Sequence, residues 1–371
     1  MYDNRKRFLI LLLLLVLIFS LFTVYISSEQ RINVSARSAA LYEPETKRFL
    51  YTKNSKERLG MASTTKIMTA LIAIEALDLN EEIAIDSRAV GIEGSSIYLK
   101  RGEIMNALDL IYALLLQSAN DAALALAYRI AGSIEDFATL MNQKVKELGL
   151  TDTHFTNPHG LDEKEHYTSA HDLAIISAEA LNNDVFREIT STYKREIESS
   201  DTKRLLVNHN KMLKSYDGCI GVKTGYTTRS GRCLVSAAER EGLTLISVTI
   251  DAPDDWRDHT QMLNYGYSAL EKRTLASVGQ FSYEIPVLSG EGNSVRISNT
   301  EELKHIFNKF DPNIESHVRL SRYFSAPIAK GDILGTVIFT QNGEQIAILP
   351  LRAEESVHIY ERKKGFFSIF N

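Results

Sequence analysis

Ser63 and Lys66 stand three residues apart at the head of MASTTKIMTALIAIE, a stretch with no further charge between Lys66 and Glu75. On a helix such a pair shares one face, about 5–6 Å apart, so the Ser63 hydroxyl can meet the Lys66 amine. Burial disfavours an ammonium and lowers its pKa, which leaves a neutral amine able to take the serine proton. The pair is a candidate nucleophile and base. In LLLQSAND a hydroxyl, Ser118, and a carboxamide, Asn120, interrupt two helical runs, and both can face one cavity if the link is a tight turn. In GVKTGY, strand alternation puts Gly221, Lys223 and Gly225 on one face, with no side chain on either side of the lysine to block a ligand backbone. Such a strand is a docking edge for an extended peptide, with a cation at its centre to hold a carboxylate.

Each element has a plainer reading. Ser63 can cap a helix while Lys66 snorkels to the surface, Ser118 or Asn120 can be an N-cap, and Lys223 can be an exposed lysine in an edge strand. Taken alone, the capping role of Ser118 or Asn120 is the preferred one. Roughly one or two S-x-x-K matches are expected by chance in a chain this long. This sequence has three, but Ser191/Lys194 and Ser200/Lys203 lie in the polar segment STYKREIESSDTKR, which cannot desolvate an amine. Only Ser63/Lys66 has an apolar setting.

The elements that must position these residues follow from periodicity. SARSAALYEPETKRFLYT, residues 35–52, reads as a hairpin bent at Glu43-Pro44-Glu45-Thr46. Helical spacing then predicts helices over 64–77, 107–116, 119–131, 134–148 and 170–181. Strands follow at 220–226, 232–239 and 243–250, then a helix from Asp255 to Lys272. Early and late strands forming an antiparallel sheet around an inserted helical block give an α+β fold. After residue 280 the chain changes to short alternating runs with a hairpin signal at Asn342-Gly343, which predicts a smaller β domain. The expected organisation is an N-terminal segment over 1–30, a catalytic domain over 31–275, a β-rich domain over 280–361 and a tail over 362–371.

The N-terminal segment carries Arg5-Lys6-Arg7 and then nineteen uncharged residues, 8–26. At about 1.5 Å each these span roughly 29 Å, close to a hydrocarbon core. The basic flank orients the rest of the chain outward. An uncleaved signal-anchor is favoured over a cleaved signal peptide, because Ser27 and Ser28 make a poor cleavage site. The tail, basic and then aromatic, suits a membrane interface or a frayed end. Across all 371 residues, 44% hydrophobic and 24% charged, the net charge of −5 gives no footprint for nucleic acid. Cys219 and Cys233 are not cross-strand partners in the expected hairpin and are read as free thiols. His159, His166 and His171 lack H-E-x-x-H spacing, so no metal and no cofactor is expected.

The three elements, in this order, resemble the motif set of penicillin-binding proteins and class A β-lactamases. With SARSAALYEPETKRFLY, TNPHGLD and GVKTGYT, the chain from about 35 to 272 resembles the low-molecular-weight penicillin-binding proteins that are serine-type D-alanyl-D-alanine carboxypeptidases. The resemblance implies a penicillin-binding, β-lactamase-like catalytic fold. It implies Ser63 as the acylated nucleophile, Lys66 as base, Ser118 as proton relay and Asn120 as a group that binds substrate amide and steadies Lys66. Lys223 and Thr224, followed by Gly225, would hold the substrate carboxylate. The backbone N–H groups of Ser63 and Tyr226 would form an oxyanion hole. Alternation turns Thr224 away from Lys223, which its role must overcome, and Ala119 stands where the motif has Asp. The implied partners are a peptidoglycan stem peptide ending in D-Ala-D-Ala, β-lactams and the bacterial cell membrane, with the catalytic domain outside the cytoplasm. A class A-like β-lactamase needs a second base in E-x-x-L-N; the nearest approach, Glu179-Ala180-Leu181-Asn182, is one residue short. A non-catalytic scaffold of the same fold would normally have lost Ser63, Lys66 or Lys223. Arg257 is a further candidate for carboxylate binding.

Overall fold

The computed structural model of the chain describes residues 32–200, 202–309 and 313–360. The expected membrane segment at 8–26 and the tail at 362–371 lie outside them. Among the described residues no helix is long and apolar enough to cross a membrane. The chain divides into two compact units: residues 32–238 with Leu245–Tyr265, and Glu239–Thr244 with the residues from Gly266 onward.

The chain begins with β1 (Ser38–Glu43) and β2 (Arg48–Lys53), followed by α1 (Lys66–Ala76) and a two-stranded ribbon of β3 (Glu82–Ala84) and β4 (Ile104–Asn106). The helical block continues with α2 (Ala107–Leu116), α3 (Asn120–Ala131), α4 (Ile134–Glu147), α5 (Ala170–Leu181) and α6 (Asp184–Ser191). Next come a hairpin of β5 (Lys194–Glu198) and β6 (Lys203–Val207), the short α7 (Met212–Ser215), strands β7 (Cys219–Thr227), β8 (Gly231–Arg240) and β9 (Leu243–Ile250), and α8 (Asp255–Ala269). The first sheet has the order β2-β1-β9-β8-β7, so the earliest strands join the latest and the helices are inserted between them. This is the α+β arrangement expected. β7 is an edge strand.

Local chemistry explains the boundaries. Glu43 bends the first hairpin by accepting the backbone N–H groups of Glu45 and Thr46. Asn106 caps α2 by accepting from Leu108 N, Ser133 caps α4 by accepting from Asp136 N, and α3 stops at Gly132 with φ +78°. α2 buries Leu110 and the whole run from Ile111 to Leu116, and α1 buries every residue from Lys66 to Ala73. Each buried Leu, Ile or Met side chain among them contributes about 1.5–3 kcal/mol on leaving water. These helices form one core with Ala40 and Tyr42 of β1, Val222 of β7 and Val235 of β8.

Two expectations needed correction, and one polar segment had no expected element. The first predicted helix starts as a 3-10 turn, Ala62–Thr65, and becomes α-helical only at Lys66. The polar segment after Ser191 is the β5–β6 hairpin, in which Ile197 and Leu206 alone are buried. The helix expected to reach Lys272 ends at Ala269, because Leu270–Ala276 is a strand paired antiparallel with Leu303–Asn308. The second unit also holds a six-stranded sheet around Val295, Ile297, Val337, Phe339, Leu349 and Leu351. Its central hairpin turns at Asn342-Gly343, both at positive φ, as the sequence predicted.

Candidate active site

The nucleophile candidate sits on a sharp elbow. Ala62 takes φ +46°, and the Thr64 and Thr65 hydroxyls donate back to the carbonyls of Met61 and Ala62 at 2.6 and 2.8 Å. The elbow presents Ser63 to a cavity and sends Lys66 into the core, where it is 0% exposed. Lys66 Nζ lies 3.0 Å from Ser63 Oγ, 2.7 Å from Asn120 Oδ1 and 2.5 Å from the His159 carbonyl oxygen. Burial holds the Lys66 pKa well below the ordinary lysine value; the like charge of Lys223 adds to this and Asp121 opposes it. The surface-lysine reading of Lys66 is excluded.

Ser118 lies between α2 and α3 in the left-handed region, φ +59°. The N-cap of α3 is Ala119, without a side-chain cap bond, so the capping reading of Ser118 and Asn120 fails. Asn120 instead turns inward, with Nδ2 donating 2.6 Å to the Glu93 carbonyl and Oδ1 accepting from Lys66. The Ser118 hydroxyl is buried and has no hydrogen-bond partner among the described residues. It lines the same cavity as Ser63.

Lys223 is 1% exposed, and Nζ donates 2.9 Å to the Thr224 carbonyl. Burial pushes its pKa down to about 7. The two flanking glycines do not clear space for a ligand as the alternation suggested. A Cβ on Gly225 would stand 3.0 Å from Ser63 N and 3.2 Å from the Ala62 Cβ, and one on Gly221 would stand 2.6 Å from the Thr190 Cβ. The glycines admit the elbow and α6. Thr224, Gly225 and Tyr226, not Lys223, line the cavity.

The cavity, of about 380 Å³, is also lined by Ser95, His209, Lys211, Arg232, Asp255 and Trp256, which sequence reasoning missed. Arg232 lies directly across the hairpin from Tyr226 and donates to Asp255 Oδ1 at 2.8 Å, so the hairpin register was the signal available for it. Arg257 instead pairs with Asp254 on the exposed surface, and it is not a lining residue. Glu179 is half-buried on α5 and is not among the lining residues. The three histidines serve structure: the His159 carbonyl accepts from Lys66, His166 Nε2 pairs with Thr65 Oγ1 at 2.8 Å, and His171 Nδ1 pairs with Asp172 at 3.1 Å. Among the described residues no group of three His, Cys, Asp or Glu could hold a metal ion. Cys233 stands opposite Gly225 and Cys219 opposite Ala238, and both are free.

A buried amine against a cavity-facing hydroxyl, beside a β edge, is a machine for acyl transfer. Residues 25–254 match the family described as D-alanyl-D-alanine carboxypeptidase, and residues 270–358 match that described as penicillin-binding protein 5, C-terminal domain. The chain belongs to the D-alanyl-D-alanine carboxypeptidase family. It is 36% identical to D-alanyl-D-alanine carboxypeptidase DacF of Bacillus subtilis (strain 168), over 90% of this chain and 87% of the relative. It is 32% identical to D-alanyl-D-alanine carboxypeptidase DacC of Escherichia coli (strain K12), over 90% and 86%. Penicillin binding protein 5 from Haemophilus influenzae has a similar solved structure, with TM-score 0.68 and 27% identity over 88% of this chain and 98% of that one. The resemblance read from the motifs is thus borne out for this D-alanyl-D-alanine carboxypeptidase family member, fold and enzyme class included.

Proposed function

We propose that the protein is a serine-type D-Ala-D-Ala carboxypeptidase that removes the terminal D-alanine from peptidoglycan stem peptides. The observation that carries the reading is the buried Lys66 amine 3.0 Å from Ser63 Oγ. Ser63 Oγ attacks the penultimate D-alanine carbonyl while Lys66 takes its proton. Backbone N–H groups of Ser63 and Tyr226 stabilise the oxyanion. Ser118 passes a proton to the departing D-alanine amine, and water then hydrolyses the ester on Ser63. Asn120 orients Lys66 and the substrate amide; Thr224 holds the terminal carboxylate from the cavity lining and Lys223 supports it with its charge from behind the strand, with Gly225 letting the strand approach the elbow. β-Lactams acylate Ser63 by the same route. Glu179 lies outside the cavity lining, which supports slow release of the penicilloyl group and disfavours a β-lactamase.

In this reading residues 8–26 anchor the protein in the bacterial membrane with the catalytic domain, 31–275, outside the cytoplasm, followed by a β-rich domain over 280–361. The decisive experiment is intact-mass analysis after penicillin treatment with peptide mapping of the adduct. Wild type should gain one penicilloyl group on the Ser63 peptide. Ser63→Ala should lose both the adduct and D-alanine release, and a retained adduct would reject Ser63.

A further inference from the structure

The Lys66 contacts carry a stereochemical consequence. A protonated lysine has three N–H donors, whereas a neutral amine has two and one lone pair. Asn120 presents Oδ1 to Lys66 because its Nδ2 is committed to the Glu93 carbonyl, so this partner only accepts. The His159 carbonyl only accepts as well. With both N–H groups of a neutral Lys66 taken up, the remaining tetrahedral direction, the lone pair, faces Ser63 Oγ. The His159 carbonyl is therefore one of two pins that aim the base.

That carbonyl is held by a turn closed by one buried side chain. Asn157 is 2% exposed; its Oδ1 accepts from Gly160 N at 2.8 Å, and its Nδ2 donates to the Leu161 carbonyl at 3.0 Å and to Glu163 Oε1 at 2.8 Å. Inside this turn the Pro158 carbonyl accepts from Thr69 Oγ1 of α1 at 2.6 Å, which leaves the next carbonyl, His159, directed at Lys66 one helical turn earlier. Gly160, at φ +89°, presses against the elbow so closely that a Cβ would collide with the Ala62 carbonyl oxygen. One loop thus touches the residue before the nucleophile and the amine that serves it.

We infer that Asn157 is a positioning residue for the acylation step, acting through the His159 carbonyl to aim the Lys66 lone pair at Ser63. The inference rests on the reading of Lys66 as the base. It separates orientation from binding, since Asn157 lies outside the cavity lining.

The test is stopped-flow acylation by a chromogenic penicillin or cephalosporin over a concentration range, giving the limiting acylation rate, the dissociation constant of the non-covalent complex and the fraction of sites titrated. Asn157→Ala should lower the limiting rate by about 10- to 100-fold, the scale expected when a reacting group is misplaced by about an ångström. The dissociation constant should stay within about twofold and every folded site should still titrate. Glu163→Gln keeps an acceptor for Asn157 Nδ2 and should behave as wild type. Thr69→Val removes the adjacent pin with little change of volume and should slow acylation in the same sense, which keeps the inference testable if Asn157→Ala does not fold. An unchanged limiting rate in Thr69→Val and Asn157→Ala, a loss confined to the fraction titrated, or a change in the dissociation constant alone would each overturn it. Wild type that fails to acylate on Ser63 would instead overturn the proposed function.

Discussion

Two buried lysines serve the site, and burial lowers the pKa of both. Lys66 has its pKa well below the ordinary value, and Lys223 is pushed down to about 7. Their roles need opposite protonation states: a base must be neutral, and a carboxylate partner must be charged. Deprotonation of Lys223 as pH rises past its pKa removes the cation, so capture of a carboxylate-bearing substrate should weaken on the alkaline side. We expect kcat/KM for a D-Ala-D-Ala peptide to fall by several-fold between about pH 7 and 9, with the limb reporting the free enzyme. A matched peptide whose terminal carboxylate is a primary amide should react poorly throughout and show no such limb. Equal alkaline limbs for both peptides, measured side by side, would remove Lys223 from carboxylate binding.

At the scale of elements, the site is a packing problem between the 3-10 turn Ala62–Thr65 and the edge strand β7. Gly225 is where they meet, and its missing side chain is a fitted contact. In Gly225→Ala the new methyl would stand 3.0 Å from Ser63 N, and neither backbone can yield without moving the elbow. Overpacking of this kind costs roughly 1–3 kcal/mol. The expected result is a folded protein with a lower Tm and strongly reduced penicillin acylation; a variant that acylates at the wild-type rate would show the contact to be slack. This junction also marks how far the sequence could be read. α2 and α3 were legible because their apolar runs are long and end on Asn106 and Gly132. Ser63 and Lys66 were legible because a charge in an apolar run demands a reason. The β5–β6 hairpin was not, since one buried residue per strand leaves no alternation to detect. Nor were His209 and Lys211, on the short connection between β6 and α7, and Trp256, in the first turn of α8, which reach the cavity only through tertiary placement. The roles of Gly221 and Gly225 were misread for the same reason: alternation gives the face of a strand but not what packs on it.

For the molecule as a whole, acid should act first on the unit that carries the site. Burial holds His159 near pKa 3, His166 near 4 and His259 near 3, against an ordinary value of 6.5, and all three belong to the first unit. Each is neutral when folded and takes a proton only on unfolding once pH drops below about 6.5. The folded pKa is the depressed one, so the associated stability is fully present above about pH 6.5 and is lost as pH falls toward 3–4. Each group removes on the order of 1.4 kcal/mol per pH unit in that window. The chain has one tryptophan, Trp256, and it also lies in the first unit, so its fluorescence reports that unit alone. Urea titrations followed by Trp256 at pH 7, 6 and 5 should show steeply falling stability, with proton uptake on unfolding approaching three. His259, buried with its Nε2 bonded to Thr249 Oγ1 at 3.0 Å, is not among the residues that line the Ser63 cavity. His259→Gln should reduce that uptake by about one proton and flatten the pH dependence while penicillin labelling persists; an unchanged slope would mean that this imidazole already takes its proton in the folded protein.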